Sequence, residues 1–323
     1  MKLKIGIISG AGYTAGELIR LLINHPDVEI NFIHSTSNTG NPITDVHGGL
    51  LGETDLVFSD TIPFAGIDAL FLCSAHGDSR KFIENQSLPE SLKIIDLSTD
   101  YRHKNNAGGF VYGLPELNKP SIQTASRIAN PGCFATAIQL ALLPLAAKNL
   151  LKEAIHVNAI TGSTGAGVKP GATTHFSWRN GNISVYKPFE HQHLQEITES
   201  LLQVQPGWSS PIHFIPVRGN FARGIFACIY TSCNLPQEEV KKLYADFYRD
   251  AAFTFVTDKN PDLKQAVNTN KCILFLEKHG SQLLIISVID NLLKGASGQA
   301  VQNFNLMFGL DEKSGLILKA SGF

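Results

Sequence analysis

Four groups of residues in this 323-residue chain have the types and spacing of reactive chemistry. The sharpest is Asn130-Pro131-Gly132-Cys133. Proline and glycine stop the preceding segment, and Cys133 then opens a long apolar helix expected over residues 133–149. A thiol at a helix N-terminus faces free amide N–H groups and the positive end of the helix dipole, both of which favour thiolate. With an ordinary pKa of about 8.5 only ~3% of a cysteine is ionised at pH 7, and a depression of about two units, roughly 2.7 kcal/mol, makes thiolate the majority form. Cys133 is therefore the expected nucleophile. Cys73, Cys228, Cys233 and Cys272 fall in expected strands and read as small buried apolar residues.

The second group is Glu190-His191-Gln192-His193-Leu194-Gln195-Glu196. Histidines at i and i+2 point to opposite sides of a strand, or about 200° apart on a helix, so a shared metal is not expected. His193 and Glu196, at i and i+3, share a helix face. There the carboxylate orients an imidazole acting as general acid/base towards a cysteine. The competing reading is a surface helix start with solvated side chains.

A glycine-rich turn, Ser9-Gly10-Ala11-Gly12-Tyr13-Thr14-Ala15-Gly16, is the third. Glycines let a backbone approach a pyrophosphate, whose charge then sits at a helix N-terminus. The turn follows an apolar strand (residues 3–8) and precedes helical spacing at 17–23, the context of a dinucleotide site. After the second strand (28–34), where NAD enzymes carry an acid for the ribose, stand Ser35-Thr36-Ser37-Asn38. Hydroxyls without a carboxylate favour NADP(H) over NAD.

Arginines form the fourth group. Arg102 lies just beyond an expected strand, and Arg218 and Arg223 flank Gly219–Ala222. Arginine suits bidentate capture of phosphate or carboxylate, although each is equally readable as a surface ion-pair partner. Asp290–Ala300, rich in small residues and including Asn291, reads either as a helix start docked near a cofactor or as a packing turn.

The elements that must position these residues come in two textures. Strand, glycine turn, helix and strand open the chain, with further strands expected at 69–73 and 94–97. The run 35–60 reads as loop with a short helix. After residue 132 come the long helix and strand-like runs at 155–161, 212–217, 224–233, 272–278 and 282–289. A helix is expected at 237–247 and a last one at about 298–308. Such runs predict a second domain with a mixed or antiparallel sheet, giving an α/β chain overall.

With Lys+Arg 27 against Asp+Glu 28 the net charge is −1, which argues against a nucleic-acid partner. There is no run of 18 apolar residues to cross a membrane, and the N-terminal apolar run is too short for a signal peptide. Five scattered cysteines without a CxxC pair predict neither a disulfide framework nor a zinc site, and a reducing cytoplasm is the expected location.

Taken together, the chain resembles the N-acetyl-γ-glutamyl-phosphate reductase family, of the aspartate-semialdehyde dehydrogenase-like superfamily. The resemblance runs in order through Gly12-Tyr13-Thr14, Asp96-Leu97-Ser98 with Arg102, Tyr112–Leu117, Asn130–Cys133, Gly162–Gly167, His191–Glu196, Arg223-Gly224-Ile225 and Asp290–Gln299 through Asn303. It implies a Rossmann-type NADP-binding domain (1–132 and 295–323) interrupted by an α+β catalytic and oligomerisation domain (133–294). Two motifs depart from the family pattern. In G-x-x-G-x-x-G the first and third glycines are Ser9 and Ala15, with glycines one place later, and H-R-H reads His191-Gln192-His193.

The implied roles are Cys133, His193 and Glu196 in catalysis, and Arg102, His191 and Arg223 on the substrate. Ser9, Gly10, Gly12, Tyr13, Thr14, Ser35, Ser37, Ser163, Gly165 and Asn291 fall to the cofactor, with no metal ligand. The implied reaction is NADPH-dependent reduction of N-acetyl-γ-glutamyl phosphate to N-acetylglutamate 5-semialdehyde and inorganic phosphate through a cysteine thioester, in arginine biosynthesis. A homodimer or homotetramer is expected by the same resemblance. The rival readings are the same chemistry on an N-succinyl-glutamyl or N-acyl-aminoadipyl phosphate, a cysteine hydrolase without nucleotide, and a dinucleotide-sensing non-enzyme.

Overall fold

In the computed structural model, which describes residues 2–322, the chain divides into two compact units. The first comprises Met1–Pro131 with Ala296–Ile317, and the second Gly132–Gly295 with Leu318–Phe323. The tail beyond residue 317, which the sequence groups with the last helix, thus belongs with the second unit. There Asn268 Nδ2 donates to the Lys319 carbonyl at 3.3 Å.

The first unit opens with β1 (Leu3–Ile8), α1 (Tyr13–Leu22) and β2 (Val28–His34). There follow β3 (Phe58–Ser59), β4 (Ala69–Leu72), α2 (Asp78–Glu84), β5 (Lys93–Asp96), β6 (Val111–Tyr112), α3 (Pro115–Thr124) and β7 (Arg127–Ala129). All pair in parallel, in the order β3-β2-β1-β4-β5-β7-β6. This is the expected Rossmann-type sheet, and its strand order reverses between β1 and β4. In such sheets ligands bind beyond the carboxyl ends of strands at that reversal, where β1 runs into Ser9.

The segment between β2 and β3 is loop with two 3-10 turns, Ile43–Asp45 and Gly48–Leu50. The unit is completed from the far end of the chain by the helix Ser297–Met307, which packs on α1, α3 and β5. That helix is buried on every side and rich in amides, so its polar groups need partners. Asn303 Nδ2 donates to the Gly113 carbonyl (2.8 Å) and Asn130 Oδ1 (3.0 Å), and Asn305 Nδ2 to the Ser314 carbonyl (2.9 Å).

The second unit opens with α4 (Cys133–Ala147), of whose 15 residues 13 are buried, as an all-round apolar helix should be. Then come β8 (Ile155–Thr161), α5 (Phe176–Arg179), β9 (Ser184–Val185), α6 (His193–Val204), β10 (Ile212–Arg218) and β11 (Ile225–Ser232). α7 (Gln237–Phe247), β12 (Thr254–Thr257), β13 (Cys272–His279) and β14 (Gln282–Ile289) complete it. The sheet is mixed, in the order β12-β13-β14-β11-β8-β10-β9, with β8/β10 and β12/β13 parallel and its other pairs antiparallel.

α4 packs on α6, β11 and β14. Pro144 inside it lacks the N–H that would bond Leu140, and the Tyr248 hydroxyl donates to that carbonyl instead (2.5 Å). Tyr244 donates to the Ala141 carbonyl (2.5 Å) and Ser287 to that of Ala137 (2.8 Å). The helix carrying Cys133 is therefore tied down along its length. Among the described residues no helix is long and apolar enough to cross a membrane.

Candidate active site

The chemistry read from the sequence falls into two groups, one in each unit. In the second unit Cys133 is the first residue of α4, behind an extended Gly132 (φ −72°, ψ 151°) with no side-chain cap. Its thiol stands at the amide end of a long helix and is partly exposed. Cys73 and Cys228 are also half-buried rather than fully buried as the sequence suggested, and desolvation together with the Asp96 charge pushes the Cys73 thiol up to about 12, against a weaker hydrogen bond from Thr14. Burial also raises Cys228.

Absent side chains hold the space around Cys133. A Cβ on Gly132 would lie 2.3 Å from His193 Nε2, so only glycine lets that imidazole seat against the turn. A Cβ on Gly295 would lie 2.8 Å from Cys133 Cβ and 2.7 Å from the Asn291 carbonyl. His193 opens α6, and Glu196 follows one turn later. Glu196 Oε1 is 3.9 Å from His193 Nε2, while Oε2 accepts from the Gly132 amide at 2.9 Å. One carboxylate thus faces the imidazole and fixes the residue before the cysteine.

His191, His193 and Glu196 are only 7%, 6% and 1% exposed, which overturns the reading of a solvated surface helix start. The expectation that the two histidines point apart also fails, because their ring centroids are 4.6 Å apart. That argument assumed one regular element, whereas His191 precedes α6 in the turn that starts it. Its Nδ1 accepts from the His193 amide at 3.2 Å, which leaves the proton of the neutral ring on Nε2. Burial, then the Lys187 charge, lower His191 to about 4 against the opposing pull of Glu196. At neutral pH His191 is an uncharged donor. Among the described residues no cluster of three histidine, cysteine or acidic side chains is arranged to hold a metal.

Several residues here were missed in the sequence. Tyr186 lies 5.8 Å from His191 by ring centroids, with the Arg218 guanidinium 4.6 Å over its ring. Burial and then the Cys133 charge raise its phenol, with Arg218 opposing. Lys187 and Phe189 next to it hold left-handed backbone (φ 45° and 63°), an arrangement that costs energy and clusters at functional sites. Arg179 donates to the carbonyls of Thr173 (3.0 Å) and Arg218 (2.8 Å) and so pins the strand end that bears Arg218. No local pattern marks these residues; the only signal is their type.

Arg223 bonds Asp290 Oδ2 through Nε and an Nη, both at 3.1 Å. Asn291 is buried, with Oδ1 accepting from the Gly224 amide (2.7 Å) and Nδ2 donating to Thr164 Oγ1 (3.0 Å). The Nδ2 end of its amide therefore holds the 3-10 turn Ser163–Ala166, which carries Ser163 and Gly165, and the Oδ1 end holds Gly224 just before β11. The Ser163 amide donates to the Phe221 carbonyl at 2.9 Å.

In the first unit the glycine turn explains its own shifted motif. Ser9 takes the left-handed conformation (φ 63°). A Cβ on Gly10 would strike Ile33 at 2.3 Å, and one on Gly16 would strike His47 Nδ1 at 2.6 Å. His47 Nε2 donates to the Gly10 carbonyl at 2.7 Å, so the displaced glycines admit a histidine that clamps the turn. Gly12 caps α1 with no side-chain bond and open space within 4 Å of a Cβ. Tyr13 and Thr14 then supply first-turn amides, and the absent side chain leaves room for a phosphate to approach them.

At the end of β2, Asn38 Nδ2 donates to both Ser35 Oγ (3.2 Å) and Ser37 Oγ (2.9 Å), a hydroxyl cluster without an acid. A dinucleotide with a 2′-phosphate fits these residues. Arg102 is buried past β5, with one Nη donating to the Leu97 carbonyl at 2.8 Å. It also opposes the upward, burial-driven shift of Asp96.

Comparisons with known proteins cover both units. Residues 4–125 match the semialdehyde dehydrogenase NAD binding domain family, and residues 133–291 the semialdehyde dehydrogenase dimerisation domain family. The chain is similar to the N-acetyl-γ-glutamyl-phosphate reductase of Azobacteroides pseudotrichonymphae (69% identical, covering 99% of each chain). It is likewise similar to that of Parabacteroides distasonis (65%, covering 99% of this chain and 100% of the relative). In structure it is similar to aspartate semialdehyde dehydrogenase II from Vibrio cholerae, solved with ASA (TM-score 0.74, 15% identical, covering 96% of this chain and 99% of the other). It also resembles aspartate semialdehyde dehydrogenase from Candida albicans, solved with NADP (TM-score 0.69, 15% identical, covering 95% and 99%).

Proposed function

The chain belongs to the N-acetyl-γ-glutamyl-phosphate reductases, within the semialdehyde dehydrogenase family, and on that premise we propose that it reduces N-acetyl-γ-glutamyl phosphate to N-acetylglutamate 5-semialdehyde and inorganic phosphate with NADPH. The observation that carries this reading is Cys133 at the start of α4, with His193 seated in the space Gly132 leaves open.

His193 takes the thiol proton, and the Cys133 thiolate attacks the acyl carbon. The C–O bond to phosphate breaks, and phosphate leaves from a thioester on Sγ. A carboxylate resists hydride, whereas a thioester accepts it. NADPH, when bound, would supply that hydride. His193 gives its proton to the oxygen of the resulting hemithioacetal and takes it back as the C–S bond breaks, releasing aldehyde and thiolate. Glu196 orients His193 and stabilises its protonated form. Neutral His191, Arg223 and Arg102 serve the substrate's polar and anionic groups.

The Ser9–Thr14 turn would hold the cofactor's pyrophosphate, and Ser35 with Ser37 its 2′-phosphate. Ser163 and Gly165 would serve it through the turn that Asn291 holds. The pathway is arginine biosynthesis, the location the cytoplasm and the working form a homo-oligomer. The face of the mixed sheet that carries the cross-strand row Glu277, Leu284, Tyr230, His156 and His213 is suited to a second copy. Tyr230 on it is an exposed aromatic, stacked on His156 at 4.7 Å. Light scattering tests the assembly.

The decisive assay runs the reaction backwards, with N-acetylglutamate semialdehyde and NADP⁺. NADPH formation that requires inorganic phosphate is the expected result. Phosphate-independent formation would mean that water and not phosphate takes the acyl group and would remove the acyl-phosphate reading, and a signal only with N-succinyl or aminoadipate analogues would change the substrate.

A further inference from the structure

Asp290 is buried at the end of β14 and carries no role in the chemistry above. Its carboxylate joins three stretches of chain. Oδ1 accepts from the amides of Leu292 (2.8 Å) and Leu293 (3.2 Å), and Oδ2 from the Asn268 amide (2.7 Å) and from Arg223 Nε and Nη, both 3.1 Å. Its carbonyl accepts from the Gly295 amide at 2.9 Å. The turn so closed brings Gly295 against Cys133 Cβ, in the contact that a side chain on Gly295 would destroy. Two guanidinium nitrogens held on one carboxylate oxygen, which is itself fixed by the Asn268 amide, restrict the guanidinium in orientation as well as place.

We propose that Asp290 is a positioning residue that aims the Arg223 guanidinium at an anionic group of the substrate while its backbone carbonyl closes the turn against the nucleophile. The inference rests on the reductase reading and deepens it. The anion is either phosphate or the carboxylate of the semialdehyde, which share the same chemistry towards arginine. The chain has the acidic partner ready before substrate arrives, so Arg223 need not be ordered on binding.

The test uses the full-length enzyme in the phosphate-dependent reverse reaction. Asp290→Asn keeps an oxygen for the Leu292 and Leu293 amides but turns a donor towards Arg223. The expected result is a KM for phosphate or for semialdehyde raised by about tenfold or more, with kcat within about threefold. Which KM moves identifies the anion, and Kd for NADP⁺ and the alkylation rate of Cys133 stay at wild-type values.

Arg223→Gln should match that profile, and the double variant should be no worse than Arg223→Gln alone. Additive losses, or a fall in kcat with every KM unchanged, would overturn the proposal. So would an unaltered KM in Arg223→Gln. If Asp290→Asn does not fold, Arg223→Lys replaces it. Its single ammonium cannot make the two-point pairing, so its KM should also rise, and a wild-type KM there would count against the assignment. Failure of wild-type enzyme to form NADPH with phosphate would instead remove the reductase reading itself.

Discussion

The two units handle small-molecule chemistry in opposite ways. In the second, the groups proposed for the reaction are side chains held by their buried surroundings: His193 against Gly132 and Glu196, His191 under Phe134 and Tyr186, Arg223 on Asp290. In the first, the groups proposed for recognition are backbone amides and short hydroxyls around Ser9–Thr14 and Ser35–Asn38, with open space at Gly12. The difference follows from the tasks. Proton transfer and nucleophilic attack demand orientation within a fraction of an ångström, whereas a pyrophosphate needs only amides and room. Damage at Cys133, His193 or Gly132 in the second unit should therefore appear in turnover, damage at Arg223 or Asp290 in the KM of the substrate, and damage in the first unit in cofactor affinity.

The largest expected effect is that of Cys133→Ala, which should abolish reduction while titration of NADPH fluorescence finds binding unchanged. Retained turnover would break the division outright. His193→Ala should lower kcat by about 10²–10⁴-fold. If His191→Ala proved the more damaging, the roles within the pair would be reversed. Gly132→Ala sharpens the contrast, since one methyl placed 2.3 Å from His193 Nε2 displaces the ring. It should cost about 10²-fold in kcat and about 1–3 kcal/mol in stability by urea titration.

In the first unit, Gly12→Ala meets no neighbour within 4 Å, so the melting temperature should not move. Its methyl would still stand where the pyrophosphate approaches, and Kd for NADP⁺ should rise by about tenfold with Cys133 alkylation unaffected.

The smallest effect is one of pH on stability. His191 is lowered from 6.5 to about 4, so the unfolded chain binds the extra proton first as pH falls. Stability should be complete above 6.5, decline between 6.5 and about 4, and show no further loss from this group below that. His191→Gln should flatten that part of a denaturation profile. An unchanged slope would mean that His191 is not a buried neutral ring.

Much of this was legible in the sequence wherever chemistry is local. β8, β14 and α7 begin and end where their apolar and amphipathic runs do, and α4 starts at Cys133 because Pro131-Gly132 stop what precedes it. The two-residue strands β3, β6 and β9 were not legible, because runs so short have no period. α3 was missed because Pro120 lies inside it. Within the sites, residue types carried the proposed nucleophile, the proposed acid/base pair and the glycine turn. Tyr186 and His47 were hidden, and Asp290 and Gly295 were read only as part of a small-residue turn, for a common reason. Each matters through what long-range packing places beside it, such as the Gly10 carbonyl that meets His47 across 37 positions of sequence. The two histidines were misread for the converse reason, since local spacing was applied across an element boundary.

The first unit is discontinuous, and that has a consequence for how the molecule is made. Its parallel sheet is complete by Ala129, yet the helix that covers α1, α3 and β5 does not begin until Ser297. Between them lie the 164 residues Gly132–Gly295 of the second unit. At a synthesis rate of about 5–20 residues per second, that interval lasts roughly 8–33 s. During translation the amino-terminal half therefore waits with an uncovered apolar face, while the inserted half lacks only the short tail beyond residue 317. The nascent chain's aggregation hazard is set by the nucleotide-binding half, and truncation before Ser297 would leave that hazard permanent.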